Sequence, residues 1–204
     1  MLTFYHSPGS CSNGILLLLN EIGAAFDTWI VNVVRGDQRS DAYLAQNPKG
    51  KVPALKIDDE TILTEFQTIA YWLANAHPDA SLWPDDLMAQ SRTLEALDFI
   101  VGSLHMRGFT FVKVPQKFLS DDSGKTALRA HGGAEVGKGL SILSGMMGER
   151  DYLLGDFGLA DAALFYVLDW AEQEGFKMPG NLAACHARLR ERASFRKSMA
   201  LWTR

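Results

Sequence analysis

Cys11 lies between a strand-like stretch, Leu2-Thr3-Phe4-Tyr5, and an apolar run, Ile15 to Leu19, that reads as a helix. Ser7-Pro8-Gly9-Ser10 breaks the strand, and Ser12 or Asn13 is expected to cap the helix. A thiolate, not a thiol, is the nucleophile, and a free cysteine of pKa about 8.5 is only about 3% ionised at pH 7. A sulfur at a helix amino terminus faces unpaired N–H groups and the positive end of the helix dipole. Lowering its pKa by about 2 units would make most of it thiolate, a differential of about 2.7 kcal/mol. The competing reading is a small buried hydrophobe. Cys185 sits in the run Leu182 to Arg192, which reads as a helix, and is expected in the core. Neither cysteine belongs to a CxxC pair, which argues against a disulfide framework and against a structural zinc site. Two free thiols and no metal are expected, in a cytoplasmic setting.

The elements that must position Cys11 follow from periodicity and breakers. Gly23 suits the end of the first helix. Phe26 to Val34 is rich in β-branched and aromatic residues and reads as a second strand. A short helix over Asp41 to Gln46 ends at Asn47-Pro48-Lys49-Gly50. Val52 to Ile57 and Thr61 to Leu63 form a hairpin around Asp58-Asp59-Glu60, and Glu65 to Ala76 is helical with Ile69, Ala70, Leu73 and Ala76 on one face. The order is βαβ, short α, then ββα. Residues 78–88 read as a linker with Pro78 and Pro84, separating a domain over 1–77 from a helical domain over 89–204. In the latter, Leu94, Leu97, Ile100, Val101 and Leu104 keep helical spacing, as do Val136, Leu140, Leu143 and Met147. The second of these runs carries Gly132, Gly133, Gly137, Gly139 and Gly145. Each interior glycine costs about 0.5–1 kcal/mol against alanine, which predicts a kinked or mobile segment.

Composition narrows the function. The 204 residues are 47% hydrophobic and 22% charged, with a formal net charge of −4, an ordinary globular balance. A mildly acidic chain lacks the counter-charge that nucleic acid or anionic lipid requires. Ile15 to Leu19, the longest unbroken apolar run, is too short to cross a bilayer, and no basic stretch precedes a long apolar segment at the amino end.

Three local patterns, in order along the chain, carry a resemblance. They are Tyr5-His6-Ser7-Pro8-Gly9-Ser10-Cys11-Ser12; Asn47-Pro48-Lys49-Gly50-Lys51-Val52-Pro53-Ala54-Leu55 followed by Leu63-Thr64-Glu65; and Tyr152-Leu153-Leu154-Gly155-Asp156 leading to Leu159-Ala160-Asp161-Ala162. The chain resembles the cytosolic glutathione transferases, and Leu104-His105 with Gly108-Phe109-Thr110 resembles the bacterial beta class in particular. The resemblance implies an α/β thioredoxin-like amino-terminal domain, an all-α carboxy-terminal domain and a homodimer. It implies glutathione as co-substrate and a small hydrophobic electrophile as its partner in a detoxifying conjugation or reduction.

The resemblance also assigns roles to residues. Cys11 becomes the active-site cysteine, with His105 facing it from the helical domain and Tyr5 and Ser10 as further hydroxyl donors to sulfur. Val52 would pair with the cysteinyl part of glutathione like an added strand, ahead of a cis Pro53. Glu65 would take the γ-glutamyl amine, and the backbone N–H of Phe66 its carboxylate. The family carries a small residue at the position of Phe66, so the ring is expected to crowd the ligand, and Gln67 is a candidate replacement contact. Arg35 and Lys51 are candidates for the glycyl carboxylate, and Asp98 for the γ-glutamyl amine across a dimer. Phe109 and Phe111 would line the electrophile pocket. Asp161 would bond back to the start of its helix, with Gly158 at the cap. Strand packing for Tyr5, a turn for Ser10 and solvated charges for Lys51, Arg35 and Asp98 are the plain alternatives. Two other functions fit the same fold: thiol transfer or reduction through a Cys11 mixed disulfide, and a non-catalytic binding protein.

Overall fold

The structure is a computed structural model that describes residues 1–202. Strand β1 (Leu2–His6) is joined by α1 (Ser12–Glu21) to β2 (Phe26–Ile30), which lies parallel to it with Leu2 opposite Phe26. After the short α2 (Asp41–Leu44) come β3 (Ala54–Lys56), β4 (Ile62–Thr64) and α3 (Phe66–Ala76). The sheet order is β2-β1-β3-β4, with β3 antiparallel to both of its neighbours. Phe4, Tyr5 and His6 are all buried, so both faces of β1 are covered. The Phe4 and His6 rings stack on one face, centroids 5.3 Å apart, and Tyr5 meets Tyr43 of α2 on the other. This is the expected thioredoxin-like arrangement.

β2 is shorter than its composition predicts. The Asn32 side-chain oxygen accepts from the backbone N–H groups of Val34 and Arg35, and Gly36 follows at φ 89°. An asparagine that offers the chain a local partner competes with the sheet ladder and turns the backbone after Ile30.

The chain divides into two compact units, Met1–Pro84 with the segment from Arg190 onward, and Asp85–Leu189. The carboxy-terminal helix therefore belongs with the sheet, although the expected division places it in the helical domain. The reason is visible in its contacts. This last helix, α9 (Ala193–Trp202), packs on α1, and Arg192 pairs with Glu21 at the end of α1.

The second unit is all helix. It contains α4 (Leu87–Asp98), a π-helical stretch over Phe99–Phe109 and α5 (Thr110–Lys113), then α6 (Asp122–Met147), α7 (Leu159–Gln173) and α8 (Gly180–Arg190). Every residue of α7 from Leu159 to Ala171 is buried. Asp161 accepts from the backbone N–H of Gly158 at 3.0 Å and of Leu153 at 2.8 Å, so the expected bond back to the helix start is made without a capping hydroxyl. No helix among the described residues is long and apolar enough to cross a membrane.

α6 runs unbroken through its glycines, contrary to the predicted kink. Three glycines do packing work instead. A Cβ on Gly132 would come within 2.8 Å of the Gly108 carbonyl, one on Gly139 within 2.7 Å of Leu104, and one on Gly108 within 2.9 Å of Val136. The helical penalty of these glycines is offset by the close approach of two helices that no larger residue permits. A Gly132→Ala variant must move backbone as well as side chain. It is expected to lose about 1–3 kcal/mol in urea unfolding, whereas Gly137→Ala, which meets open space, should leave stability unchanged or raise it.

Candidate functional site

The site grows from the turn between β1 and α1. Ser12 Oγ is its hub: it lies 2.7 Å from His6 Nδ1, 2.7 Å from Ser10 Oγ, and 3.1 Å from both the N–H and the carbonyl of Ser7. Asn13 donates to the Trp202 carbonyl and accepts from the Gly9 N–H. The expected side-chain cap of α1 is absent, because Ser12 and Asn13 are committed to the turn and Cys11 itself occupies the N-cap position. His6 and these commitments of Ser12 and Asn13 escape sequence reasoning. The available signal was a histidine and two polar residues flanking an otherwise apolar helix start.

Burial decides the state of Cys11. Cys11 is partly exposed as a residue. Desolvation pushes the thiol up to about 12, and the Glu65 carboxylate adds to the rise. The N–H groups of Cys11 and Ser12 and the Lys51 ammonium pull the other way and are outweighed. The direction runs against the expected low-pKa thiolate, because loss of water outweighs the nearby N–H groups. The thiol instead donates to the Val52 carbonyl at 3.7 Å. Burial also pushes Cys185 up to about 12, in keeping with a core cysteine.

Val52 is held in place from behind. Tyr43 Oη and Asn47 Nδ2 both donate to the Lys51 carbonyl, at 2.5 and 2.8 Å. Asn47 is 1% exposed and is a positioning residue that the motif alone does not single out. The Val52–Pro53 peptide is cis, as the resemblance implies. The Val52 N–H donates no hydrogen bond among the described residues.

Glu65 precedes α3 at φ 70°, a left-handed backbone that costs a non-glycine residue about 1–3 kcal/mol and clusters at binding sites. Its carboxylate accepts from Lys49 Nζ at 2.8 Å, an exposed ion pair, and Lys49 also donates to Thr64. An ammonium therefore already sits on the oxygen expected to receive one. Phe66 corrects an expectation: its ring is 2% exposed and turned into the core, so it is not free to crowd a ligand at the start of α3. Tyr5 is equally committed to packing. Its hydroxyl donates to Gln46, and burial raises its pKa against the pull of Lys56. Arg35 and Lys51 are exposed.

In the helical unit, His105 Nδ1 lies 3.2 Å from Tyr166 Oη, and its ring meets Trp170 edge to face at 4.8 Å. Asp98 is exposed at the end of α4. Phe109 is fully buried between Trp170 and Phe176, which makes it core and not the expected pocket lining. Phe111 is partly buried against Phe118. Asp169, Glu172 and His186 bring donor atoms within 4.8 Å of one another. His186 Nε2 pairs with Asp169 at 2.6 Å, and both acids have further partners, so the cluster ties α7 to α8.

A sheet with a cis-proline beside a cysteine-bearing turn, followed by an all-helical unit, defines a glutathione transferase fold. Residues 9–76 match the glutathione S-transferase amino-terminal domain. The chain is 32% identical to glutathione S-transferase GstA of Escherichia coli O157:H7 over 98% of each chain. It is 28% identical to maleylacetoacetate isomerase of Pseudomonas aeruginosa, over 94% of this chain and 93% of that one. Among solved structures, the bacterial beta-class glutathione S-transferase of Sphingomonas chungbukensis matches with TM-score 0.83 and 32% identity over 97% of each chain. A glutathione transferase homologue from Sulfitobacter with bound glutathione matches with TM-score 0.91 and 27% identity, over 98% of this chain and 99% of that one. The chain belongs to the glutathione S-transferase family, and its bacterial beta-class resemblance is upheld.

Two measurements check the electrostatics. Iodoacetamide should alkylate Cys11 slowly at pH 7, with the rate still rising above pH 9; a plateau below pH 7 would contradict the buried thiol. Desolvation holds His6 down to about 4, with the bond to the Leu201 carbonyl opposing it only in part. The unfolded chain takes up this proton near pH 6.5 and the folded chain only near 4. Stability from this group is therefore complete above 6.5 and falls between 6.5 and 4, by on the order of 3 kcal/mol. Urea midpoints across that range should fall, and should flatten in His6→Phe.

Proposed function

We propose that this chain is a glutathione transferase that binds glutathione along Val52 and the start of α3 and transfers its sulfur to a small hydrophobic electrophile. The observation that carries this reading is the Val52 backbone: an N–H with no partner among the described residues stands on the residue whose carbonyl receives the Cys11 thiol. A cysteinyl backbone pairing there as an added strand would have its sulfur near Cys11. Glu65 would receive the γ-glutamyl ammonium in exchange for Lys49. The Phe66 backbone is proposed for the γ-glutamyl carboxylate, and Arg35 or Lys51 for the glycyl carboxylate. His105 is proposed as a sulfur partner, and Asp98 as a contact supplied by a second copy.

The raised pKa of Cys11 supports conjugation over direct attack by the cysteine. A neutral thiol is a hydrogen-bond donor, able to stabilise a glutathione thiolate, and a poor direct attacker. In the step itself the glutathione S–H bond breaks and its proton leaves to water. The sulfur electron pair forms a bond to the electrophilic carbon, and the leaving group departs with its own pair. A homodimer in the cytoplasm suits this chemistry.

Calorimetric titration with glutathione is the test. Binding is expected for the unmodified protein, and Glu65→Gln should weaken it about tenfold, or about 1.4 kcal/mol. Cys11→Ser should keep conjugation of a model electrophile, because a hydroxyl also donates, and Cys11→Ala should lose it about tenfold. No heat from glutathione at millimolar concentration, with the protein folded, would overturn the reading and leave a binding protein of the same fold.

A further inference from the structure

The turn around Cys11 is fastened to the opposite end of the chain. The carbonyl of Leu201 lies 2.7 Å from His6 Nε2. The carbonyl of Trp202 accepts from the Gly9 N–H at 3.0 Å and from Asn13 Nδ2 at 2.9 Å. The last carbonyls of a helix have no partner within it and must find one elsewhere. Here they find it in the residues that lead into Cys11.

Proton bookkeeping gives this network a direction. Burial keeps His6 neutral near pH 7, so the ring carries one proton. That proton is on Nε2, because only a donor can face the Leu201 carbonyl. Nδ1 is then an acceptor, and the single Ser12 hydroxyl proton goes to it. Ser12 Oγ accepts in turn from the Ser7 N–H and from the Ser10 hydroxyl. Ser10 Oγ accepts from the Ser12 N–H at 3.1 Å. The residues on either side of Cys11 are thus bound to each other and, through His6, to the end of α9.

Docking of α9 does not call for such bonds. The helix already packs on α1, with the Arg192–Glu21 pair beside it. Burying a histidine, two serines and an asparagine is of small net benefit compared with apolar packing of the same shape. What the polar network adds is a defined geometry at the turn.

We propose that the carboxyl end of α9 is part of the sulfur site, with His6, Ser12 and Asn13 as positioning residues that latch the Cys11 turn to it. The latch holds the Cys11 sulfur directed at the Val52 carbonyl. A change at the end of α9 is then felt at Cys11, though the two are far apart in sequence. Its bearing on glutathione chemistry rests on the proposed function, whereas the latch itself is read without glutathione.

The experiment compares alkylation of Cys11 by iodoacetamide at pH 8, located by peptide mass mapping, in four folded proteins. They are the unmodified chain, His6→Phe, deletion of residues 201–204, and Glu21→Gln. His6→Phe keeps a ring to stack on Phe4 and removes both bonds. Glu21→Gln loosens α9 without touching the turn. The expected result is about tenfold faster alkylation in His6→Phe and in the truncated chain, and an unchanged rate in Glu21→Gln at comparable loss of thermal stability. Equal rates in all four, or an increase that only follows stability, would overturn the latch. Should the first two variants fail to fold, hydrogen exchange in the unmodified protein decides. The Gly9 amide should open together with the amides of the last turn of α9, and exchange of Gly9 far ahead of them would overturn the proposal. Failure of the unmodified chain to bind glutathione would sink the proposed function and leave these outcomes standing.

Discussion

A buried polar group must be paired, and in this protein that constraint falls most heavily on the segment from His6 to Asn13. His6, Ser7, Ser12 and Asn13 are all buried, in a stretch that is neither strand nor helix for most of its length. Such backbone cannot use a ladder of its own, so its partners come from the backbone and side chains of the same turn and from the carbonyls of α9. An orphaned group here would cost about 1–3 kcal/mol. The geometry around Cys11 is therefore shared between the two ends of the chain, with α1 packed between them.

The same burial sets the chemistry. Position at a helix start and loss of water act on the Cys11 thiol with opposite sign, and loss of water is the larger. A cysteine in this place is suited to giving a hydrogen bond, and Val52 is its observed acceptor. Val52 is in turn presented by Tyr43 and Asn47, which grip the carbonyl one residue earlier. Hydrogen bonds from Tyr43 and Asn47 thus fix the backbone that leads into Val52, and the strained Glu65 opens the way into α3.

In the helical unit the deciding constraint is close packing. Gly108, Gly132 and Gly139 sit where the π-helical stretch and α6 touch, and the apolar residues of α7 are wrapped on all sides. His105 rises from that π-helical stretch against Tyr166 and Trp170, so its ring is oriented by the core beneath it. Asp161 closes the start of α7 by binding two backbone donors that a glycine cap leaves open.

Much of this was legible from residues alone. Alternation and breakers located the four strands and α1 to α3, because those signals are local and each element is short. The Asn47-to-Leu55 motif marked the loop before β3, and the position of Cys11 marked the turn. Other features were out of reach. Phe66 and Phe109 are ordinary apolar residues in sequence, and only packing shows that both rings are core. The glycines of α6 read as weakness until a second helix is placed against them. The ionisation of Cys11 depends on how much water the folded chain removes, and one partner each of His6 and Asn13 lies nearly two hundred residues away. Local propensity determined the elements and the place of the sulfur. Tertiary structure alone decided burial and long-range pairing, since desolvation and hydrogen-bond partnership are properties of what surrounds a group, not of the group itself.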